Sequence, residues 1–127
     1  MKSEELTGKI LAACFEVSNE LGCGFLESVY QNALIIALQE KDLKVEPEHP
    51  LAVTFHGQTV GQFYTDILVE NSVIIELKAV SILNENHRAQ IINYLKATGI
   101  EVGLLVNFGS PKLEYRRFDN RFIKTAK

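Results

Sequence analysis

Two neighbouring stretches of this chain constrain its fold most. Residues 59–69 and 73–79 are rich in β-branched and other apolar side chains on both faces, and only Glu70-Asn71-Ser72 separates them. A strand with one solvated face alternates apolar and polar residues, whereas a continuous apolar run is typical of a strand covered on both sides. A three-residue spacer suits a hairpin loop. The sequence therefore predicts a central buried hairpin with other elements on both of its faces.

The remaining elements follow from periodicity and from breakers. Apolar residues recur at helical spacing before the hairpin, with Gly22-Cys23-Gly24 between two helices, and again after it, up to Gly99. Pro47 and Pro50 bound a loop or edge segment ahead of an alternating strand. The order α, α, β, β, β, α, β, β predicts an α/β (α+β) fold with one sheet flanked by helices. The predicted ranges are helices at about 4–21, 26–41 and 84–98 and strands at about 51–56, 59–69, 73–79, 102–108 and 113–118.

Composition sets the class of protein. The 127 residues suit a single domain spanning 1–127, and the apolar fraction of 46% is ordinary for a globular chain. No apolar run approaches the roughly 20 residues of a membrane span, and no signal peptide is evident. The two cysteines fit no metal or redox motif, so we expect Cys14 in the core, Cys23 in a loop and a cytoplasmic protein.

The net charge of −3 does not by itself indicate nucleic-acid binding, but the charge is unevenly distributed. Residues 1–50 hold four basic and nine acidic side chains, a net charge of −5. Residues 112–127 hold six basic and two acidic side chains, a net charge of +4. This basic C-terminal edge could contact phosphates, or it could be a solvated tail.

Asp66 and Glu76 lie inside the two apolar strand patterns. An ionised carboxylate in such a place is costly unless it is paired or binds a metal. A three-residue loop at 70–72 would place Asp66 directly opposite Glu76, with Cβ atoms about 5 Å apart. Two carboxylates that close repel each other, and a divalent cation resolves the conflict. Oxygen ligands of this kind suit Mg²⁺ or Mn²⁺.

Lys78 leaves the same face of its strand as Glu76, two residues earlier. A lysine beside a metal-bound water can orient or deprotonate it and can stabilise charge on a phosphoryl oxygen. The plainer interpretation is that Glu76 and Lys78 form an ion pair on a partly exposed face.

Two helices carry further candidates. His87, Gln90 and Tyr94 line one polar stripe of the third helix, and Glu27 stands in the first turn of the second. Each also has an ordinary explanation, because a glutamate at a helix start suits the macrodipole and a tyrosine or glutamine can simply cover a sheet.

Together these segments resemble a known family. Gly24-Phe25-Leu26-Glu27-Ser28-Val29-Tyr30 is similar to the GxxExxY pattern of a group of small proteins assigned to the PD-(D/E)XK nuclease superfamily. The resemblance extends from about Leu6 to Phe108 and includes Glu76-Leu77-Lys78-Ala79-Val80 and His87-Arg88-Ala89-Gln90.

The resemblance implies a restriction-endonuclease-like core of α-β-β-β-α-β order, with an extra N-terminal helix. It implies that Asp66 is the motif aspartate and that Glu76 and Lys78 are the (D/E)xK pair. Gln90 and Tyr94 match the QxxxY motif of RecB-like members. Glu27 matches the helical acidic residue that completes their metal site with Asp66 and Glu76. The implied catalytic set is therefore Asp66, Glu76, Lys78, Gln90 and Tyr94.

Two positions depart from the family pattern. Cys23 stands where a proline is frequent, and Tyr64 stands where an arginine often precedes the motif aspartate, which leaves the choice of substrate open.

Three functions compete. The first is a Mg²⁺- or Mn²⁺-dependent nuclease that acts on nucleic acid, with DNA favoured over RNA and with no membrane partner. The second is a non-catalytic interaction module with a vestigial site, which the small size and negative charge favour. The third is a hydrolase of a non-nucleic phosphodiester. A homodimer would extend the small basic surface of such a chain.

Overall fold

The computed structural model describes residues 3–121, and within them the predicted order of elements is confirmed. Two helices come first, three strands follow, and a third helix leads to the last two strands. Their bounds are α1 Ser3–Leu21, α2 Glu27–Gln39, β1 Val45–Phe55, β2 Gln58–Val69, β3 Val73–Lys78, α3 Glu85–Thr98, β4 Val102–Asn107 and β5 Glu114–Asp119.

The strands form one mixed sheet in the order β1-β2-β3-β4-β5. β3 and β4 run parallel, from the pair Val73 and Val102 to the pair Lys78 and Asn107, and the other neighbours are antiparallel. A parallel pair cannot be joined by a hairpin, so α3 makes the crossover. The α+β class and the sheet flanked by helices are thereby confirmed.

The sheet has a packed core on each face. Ile75 and Leu104 belong to the core that α1 and α2 cover, and Leu68 and Ile74 pack with Tyr94 of α3 on the other side. Successive residues of a strand point to opposite faces, so a central strand must be apolar at every position to fill both cores. Burial of each such side chain contributes about 1.5–3 kcal/mol. This double cover is the reason why β3 and β4 have no amphipathic alternation.

The two cysteines lie where the sequence predicted them. Cys14 is buried in the core beneath α1, and Cys23 is exposed between α1 and α2. Burial raises the pKa of the Cys14 thiol to about 12, so the group stays protonated and packs as a small apolar side chain.

β1 is longer than the predicted strand. It begins at Val45, ahead of both Pro47 and Pro50, and it ends at Phe55, because His56 belongs to the turn. β1 is an edge strand, so the N–H groups on its open side pair with no other strand. A proline, which lacks an N–H, is therefore tolerated there. His56 and Gly57 both have positive φ, which is typical of a two-residue hairpin turn.

The prediction that residues 59–69 form a buried strand is wrong for its first part. Most of β2 before Thr65 is exposed, including Val60 at 63%, and Phe55 across the turn is 62% exposed. We call residues 52–64 the ribbon. Apart from Phe63, which stacks on Tyr94 of α3, the β-branched and aromatic side chains of the ribbon have strand propensity without a core to fill.

The helix ends differ slightly from the prediction for α2 and agree for α3. α2 begins one residue later and ends two residues earlier than the predicted 26–41. Asn84 caps α3 in a capping box in which the ring of His87 accepts the Asn84 backbone N–H, and Gly99 ends the helix in the left-handed conformation. His87 therefore serves the helix start.

The basic C-terminal edge is described only in part. Arg116 and Arg117 are exposed on β5, whereas Lys124 and Lys127 lie outside the described residues. Among residues 3–121, no helix is long and apolar enough to cross a membrane.

Candidate functional site

The hairpin between β2 and β3 has the register that the sequence predicted. Ile67 pairs with Ile75 and Val69 with Val73, so the three-residue loop brings Asp66 opposite Glu76. Two loop residues, Glu70 and Asn71, have positive φ, which closes the turn. The expectation that the two carboxyl groups meet at one end of the hairpin is confirmed.

The two carboxyl groups also replace part of the hydrogen-bond ladder at this end. The backbone N–H of Leu77 donates to Oδ2 of Asp66 at 2.7 Å. The backbone N–H of Asp66 donates to Oε1 of Glu76 at 3.3 Å. The strand pairing ends at Ile67 and Ile75, and beyond it side-chain oxygens accept the N–H groups. Each carboxyl is thereby held in place by the backbone of the opposite strand.

Burial makes both carboxyl groups of this pair weaker acids than usual. Glu76 is only 4% exposed, and burial, followed by the charge of Asp66, raises its pKa to about 8. Burial also raises the pKa of Asp66, and the nearby negative charge of Glu27 raises it further. The charge of Lys78 acts in the opposite direction and lowers the pKa of both carboxyl groups. A side-chain hydrogen bond joins the two carboxyl groups, so at neutral pH they share one proton unless a cation takes its place.

Lys78 follows at the end of β3 and is half-buried. Within the described part of the chain, Lys78 belongs to none of the ion pairs closer than 4.0 Å. A tight ion pair with Glu76 therefore does not explain the position of the Lys78 side chain. Its charge still reaches both carboxyl groups. The side chain is thus a cation beside the acidic pair without being bound to it.

Asn107 holds the backbone that follows Lys78, and sequence reasoning missed it. Its side chain is fully buried and accepts the N–H groups of Val80 and Gly109, each at 3.0 Å. It donates to the carbonyl of Val80 and to the carboxyl of Glu114, each at 2.8 Å. Phe108 adds a backbone hydrogen bond to the Lys78 carbonyl at 2.8 Å. A polar residue near the end of the otherwise apolar strand pattern of 102–108 was the available signal.

The third helix brings Tyr94 to the acidic pair. Burial raises the pKa of Tyr94 to about 12, the charges of Glu76 and Asp66 add to this, and a hydrogen bond from Gln90 opposes it. At neutral pH the phenol is therefore a hydrogen-bond donor. The ring of Tyr94 stacks on that of Phe63 from the ribbon, with centroids 4.2 Å apart. Tyr94 and Gln90 are thus next to each other, as the QxxxY motif requires.

The second helix approaches the site from the other side. Glu27 is exposed at its first turn, and its charge acts on Asp66. Gln31, one turn further on, donates from Nε2 to the backbone carbonyl of Asp66 at 2.9 Å. Gln31 was also missed, although its i+4 spacing from Glu27 places both side chains on the same side of α2.

The donor set fits a hard divalent cation, although the ligands are not gathered into a cluster of three. No three His, Cys, Asp or Glu side chains of residues 3–121 stand close enough together to hold a metal ion. Asp66 and Glu76 supply two carboxyl groups whose mutual repulsion a cation relieves, and Glu27 adds negative charge nearby. All of these donors are oxygens, the ligand type of Mg²⁺ and Mn²⁺.

Comparisons with known proteins support the fold and assign the family. The crystal structure of SSO0001 has a similar fold, with a TM-score of 0.60 and 18% sequence identity over 73% of this chain. The match covers 49% of the SSO0001 chain, so the present chain spans about half of that length. No curated protein sequence matches. The family model of the PD-(D/E)XK nuclease superfamily matches residues 4–118, the stretch that runs from α1 into β5 and contains every site residue discussed above. On that match and on its restriction-endonuclease-like fold, the chain belongs to the PD-(D/E)XK nuclease superfamily.

Proposed function

We propose that the protein is a metal-dependent nuclease that hydrolyses phosphodiester bonds in DNA or RNA. The observation that carries the proposal is the pair of Asp66 and Glu76, two hydrogen-bonded carboxyl groups of which Glu76 is buried and Asp66 half-buried, with a lysine beside them. Such a pair is unfavourable for folding unless it serves a ligand, because burial opposes its ionisation. Membership of a nuclease superfamily supports the same class of reaction.

Asp66 and Glu76 would hold the ion, and Mg²⁺ or Mn²⁺ is the proposed cation. Glu27, whose charge already acts on Asp66, would join them as the third carboxylate once the ion is bound. When bound, the ion would supply Lewis-acid chemistry, which lowers the pKa of a water molecule and neutralises charge on the phosphoryl group. Binding requires the shared proton to leave the pair, so affinity should rise with pH.

The other residues would act on the substrate and on the attacking water. Lys78 would orient that water and donate to a phosphoryl oxygen, since its ammonium is not engaged in a tight ion pair. Gln90 and Tyr94 would position the substrate strand, with the Tyr94 phenol as a donor. We favour DNA over RNA as the substrate, and a homodimer would extend the surface offered to either.

The decisive experiment compares single-turnover cleavage by the wild type, Lys78→Ala and Lys112→Ala. The substrates are single-stranded, duplex and branched DNA and RNA, each with Mg²⁺ or Mn²⁺. Loss of one preorganised electrostatic group typically lowers the rate about 10² to 10³-fold, so Lys78→Ala should cut at least that much more slowly. Lys112→Ala removes the same charge from an exposed loop position and should cut like the wild type.

The outcome also decides between the remaining candidates. If the wild type cuts none of these substrates, or if Lys78→Ala cuts as fast as Lys112→Ala, the nuclease proposal fails. Cleavage of a small phosphodiester alone would favour the non-nucleic substrate. With no cleavage of any kind, the non-catalytic interaction module takes its place.

A further inference from the structure

A groove of about 630 Å³ runs between the ribbon and α3. Val53, Thr54 and Phe63 line it from the ribbon, and Asn93, Tyr94 and Lys96 line it from the helix. Its volume lies within the roughly 300–1,000 Å³ of small-molecule sites. The register shift between Val53 and Thr54 explains why consecutive ribbon residues can both line the groove.

The groove leads to the candidate active site. Tyr94 lines the groove, and its phenol lies within reach of the charges of Glu76 and Asp66. Phe63, which stacks on Tyr94, is three residues before Asp66 on the same strand. A molecule in the groove would therefore be adjacent to a phosphodiester bond held at the acidic pair.

The chemistry of the groove suits an unpaired nucleobase better than a duplex. Its walls combine apolar and aromatic surface with an amide, a hydroxyl, a phenol and the single ammonium of Lys96, and no carboxylate lines it. A base needs such a surface for its flat faces and such polar groups for its edges. A duplex is instead gripped through its phosphates by basic side chains, and the ribbon contains no Lys, Arg, Asp or Glu.

We propose that this groove binds an unpaired base of the substrate strand beside the phosphate to be cut, so that single-stranded nucleic acid is preferred over continuous duplex. The inference rests on the proposed nuclease function, because it names the form of the substrate. The task of the ribbon is then to form one wall of the binding groove through Val53, Thr54 and Phe63.

Binding and cleavage test the two proposals separately. Fluorescence anisotropy with labelled 12-nucleotide single strands and matched hairpin duplexes, of DNA and of RNA, is measured in EDTA so that nothing is cut. Val53→Glu places a carboxylate in the groove, where it should weaken binding of the single strand at least about tenfold. Val60→Glu adds the same charge to the same ribbon outside the groove and should change binding less than about twofold.

A second pair of variants guards against an effect of folding. Asn93→Asp adds a charge to the opposite wall with almost no change of shape, and Asn86→Asp does so at the exposed start of α3. Asn93→Asp should weaken binding of the single strand and Asn86→Asp should not. Melting curves should show that all four variants are folded.

The inference is overturned if neither groove variant binds less tightly than its control, if the duplex binds as tightly as the single strand, or if no oligonucleotide binds. Cleavage by the wild type with Mn²⁺ would then leave the nuclease proposal standing. If the groove variants lose binding selectively but the wild type cuts nothing, the groove stands and the nuclease proposal falls. The DNA and RNA arms show which sugar the site accepts.

Discussion

At the scale of single residues, the main feature is a conflict between two carboxyl groups that repel each other and that the fold nevertheless holds together. Glu76 is buried next to Asp66, and each carboxyl accepts a backbone N–H from the opposite strand. Two hydrogen bonds do not offset the burial of two like charges, so the pKa of both groups is raised. A protein that needed only stability would be served better by apolar residues at these positions.

This conflict predicts how the metal-free stability depends on pH. The folded pKa of Glu76, about 8, lies above its ordinary value of 4.5, so the folded state binds the proton more tightly than the unfolded state. The contribution of Glu76 to the free energy of unfolding should therefore be greatest below about pH 4.5 and should fall, by up to about 5 kcal/mol, as the pH rises to about 8. Glu76→Gln should remove most of this fall, whereas Glu101→Gln, at an exposed position, should keep it. Denaturant unfolding from pH 4.5 to 8.5 in EDTA measures the effect, and parallel curves for wild type and Glu76→Gln would contradict it.

At the scale of elements, the site depends on the ends of two parallel neighbours. β3 ends at Lys78 and β4 at Asn107, and these two residues pair. The segments that follow the two strands pass close to each other, and the backbone of Ala79 and Val80 packs directly on Gly109. Asn107 ties the two segments together through three hydrogen bonds, two with Val80 and one with Gly109, and makes a fourth with Glu114 of β5. The position of Lys78 is thus determined by contacts about 30 residues away in sequence.

A methyl group at Gly109 tests this junction. A Cβ there would lie 2.3 Å from the Val80 nitrogen, so Gly109→Ala must displace the segment after Lys78. We expect a loss of about 2–3 kcal/mol in the free energy of unfolding and a fall in Tm of roughly 5–10 °C. Gly61→Ala is the matched control, because a Cβ on the ribbon meets nothing within 4 Å. Scanning calorimetry of both variants provides the comparison, and equal Tm values would show that the junction yields freely.

At the scale of the whole molecule, a bound cation would stabilise the fold. Helices α1 and α2 cover one face of the sheet and α3 the other, and the acidic pair belongs to strands buried between them. Unfolding would separate Asp66, Glu76 and Glu27, so a metal that needs them together binds the folded state only. Such a ligand stabilises by about 2.7 kcal/mol at a hundredfold excess over its Kd.

Mn²⁺ should accordingly raise the Tm of the wild type, and more at pH 8 than at pH 6 because the pair must release its proton. Asp66→Asn should respond much less, since it removes a ligand charge. Asp42→Asn makes the same change in an exposed left-handed turn that asparagine also accepts, and it should respond like the wild type. Thermal melting with and without Mn²⁺ gives the comparison. Equal shifts for all three proteins would place the metal elsewhere on the surface.

Much of this arrangement follows from the sequence alone, because it depends on local spacing. Helical and strand periodicities predicted the order of all eight elements, and the odd loop length at 70–72 predicted that Asp66 lies opposite Glu76. Backbone geometry converts both kinds of spacing into position without help from the rest of the chain. The roles in metal binding and catalysis remain predictions for every member of the set: Glu27, Asp66, Glu76, Lys78, Gln90 and Tyr94.

Only the tertiary structure decided what surrounds these positions. β-branched residues on both faces predicted burial for all of 59–69, yet most of the strand before Thr65 is exposed. The raised pKa of Glu76, the four hydrogen bonds of Asn107 and the contact of Gln31 with Asp66 arise from segments distant in sequence. Propensity and spacing describe a residue and its near neighbours along the chain. Desolvation, packing and charge depend on which other elements come within a few ångströms, and folding alone determines that.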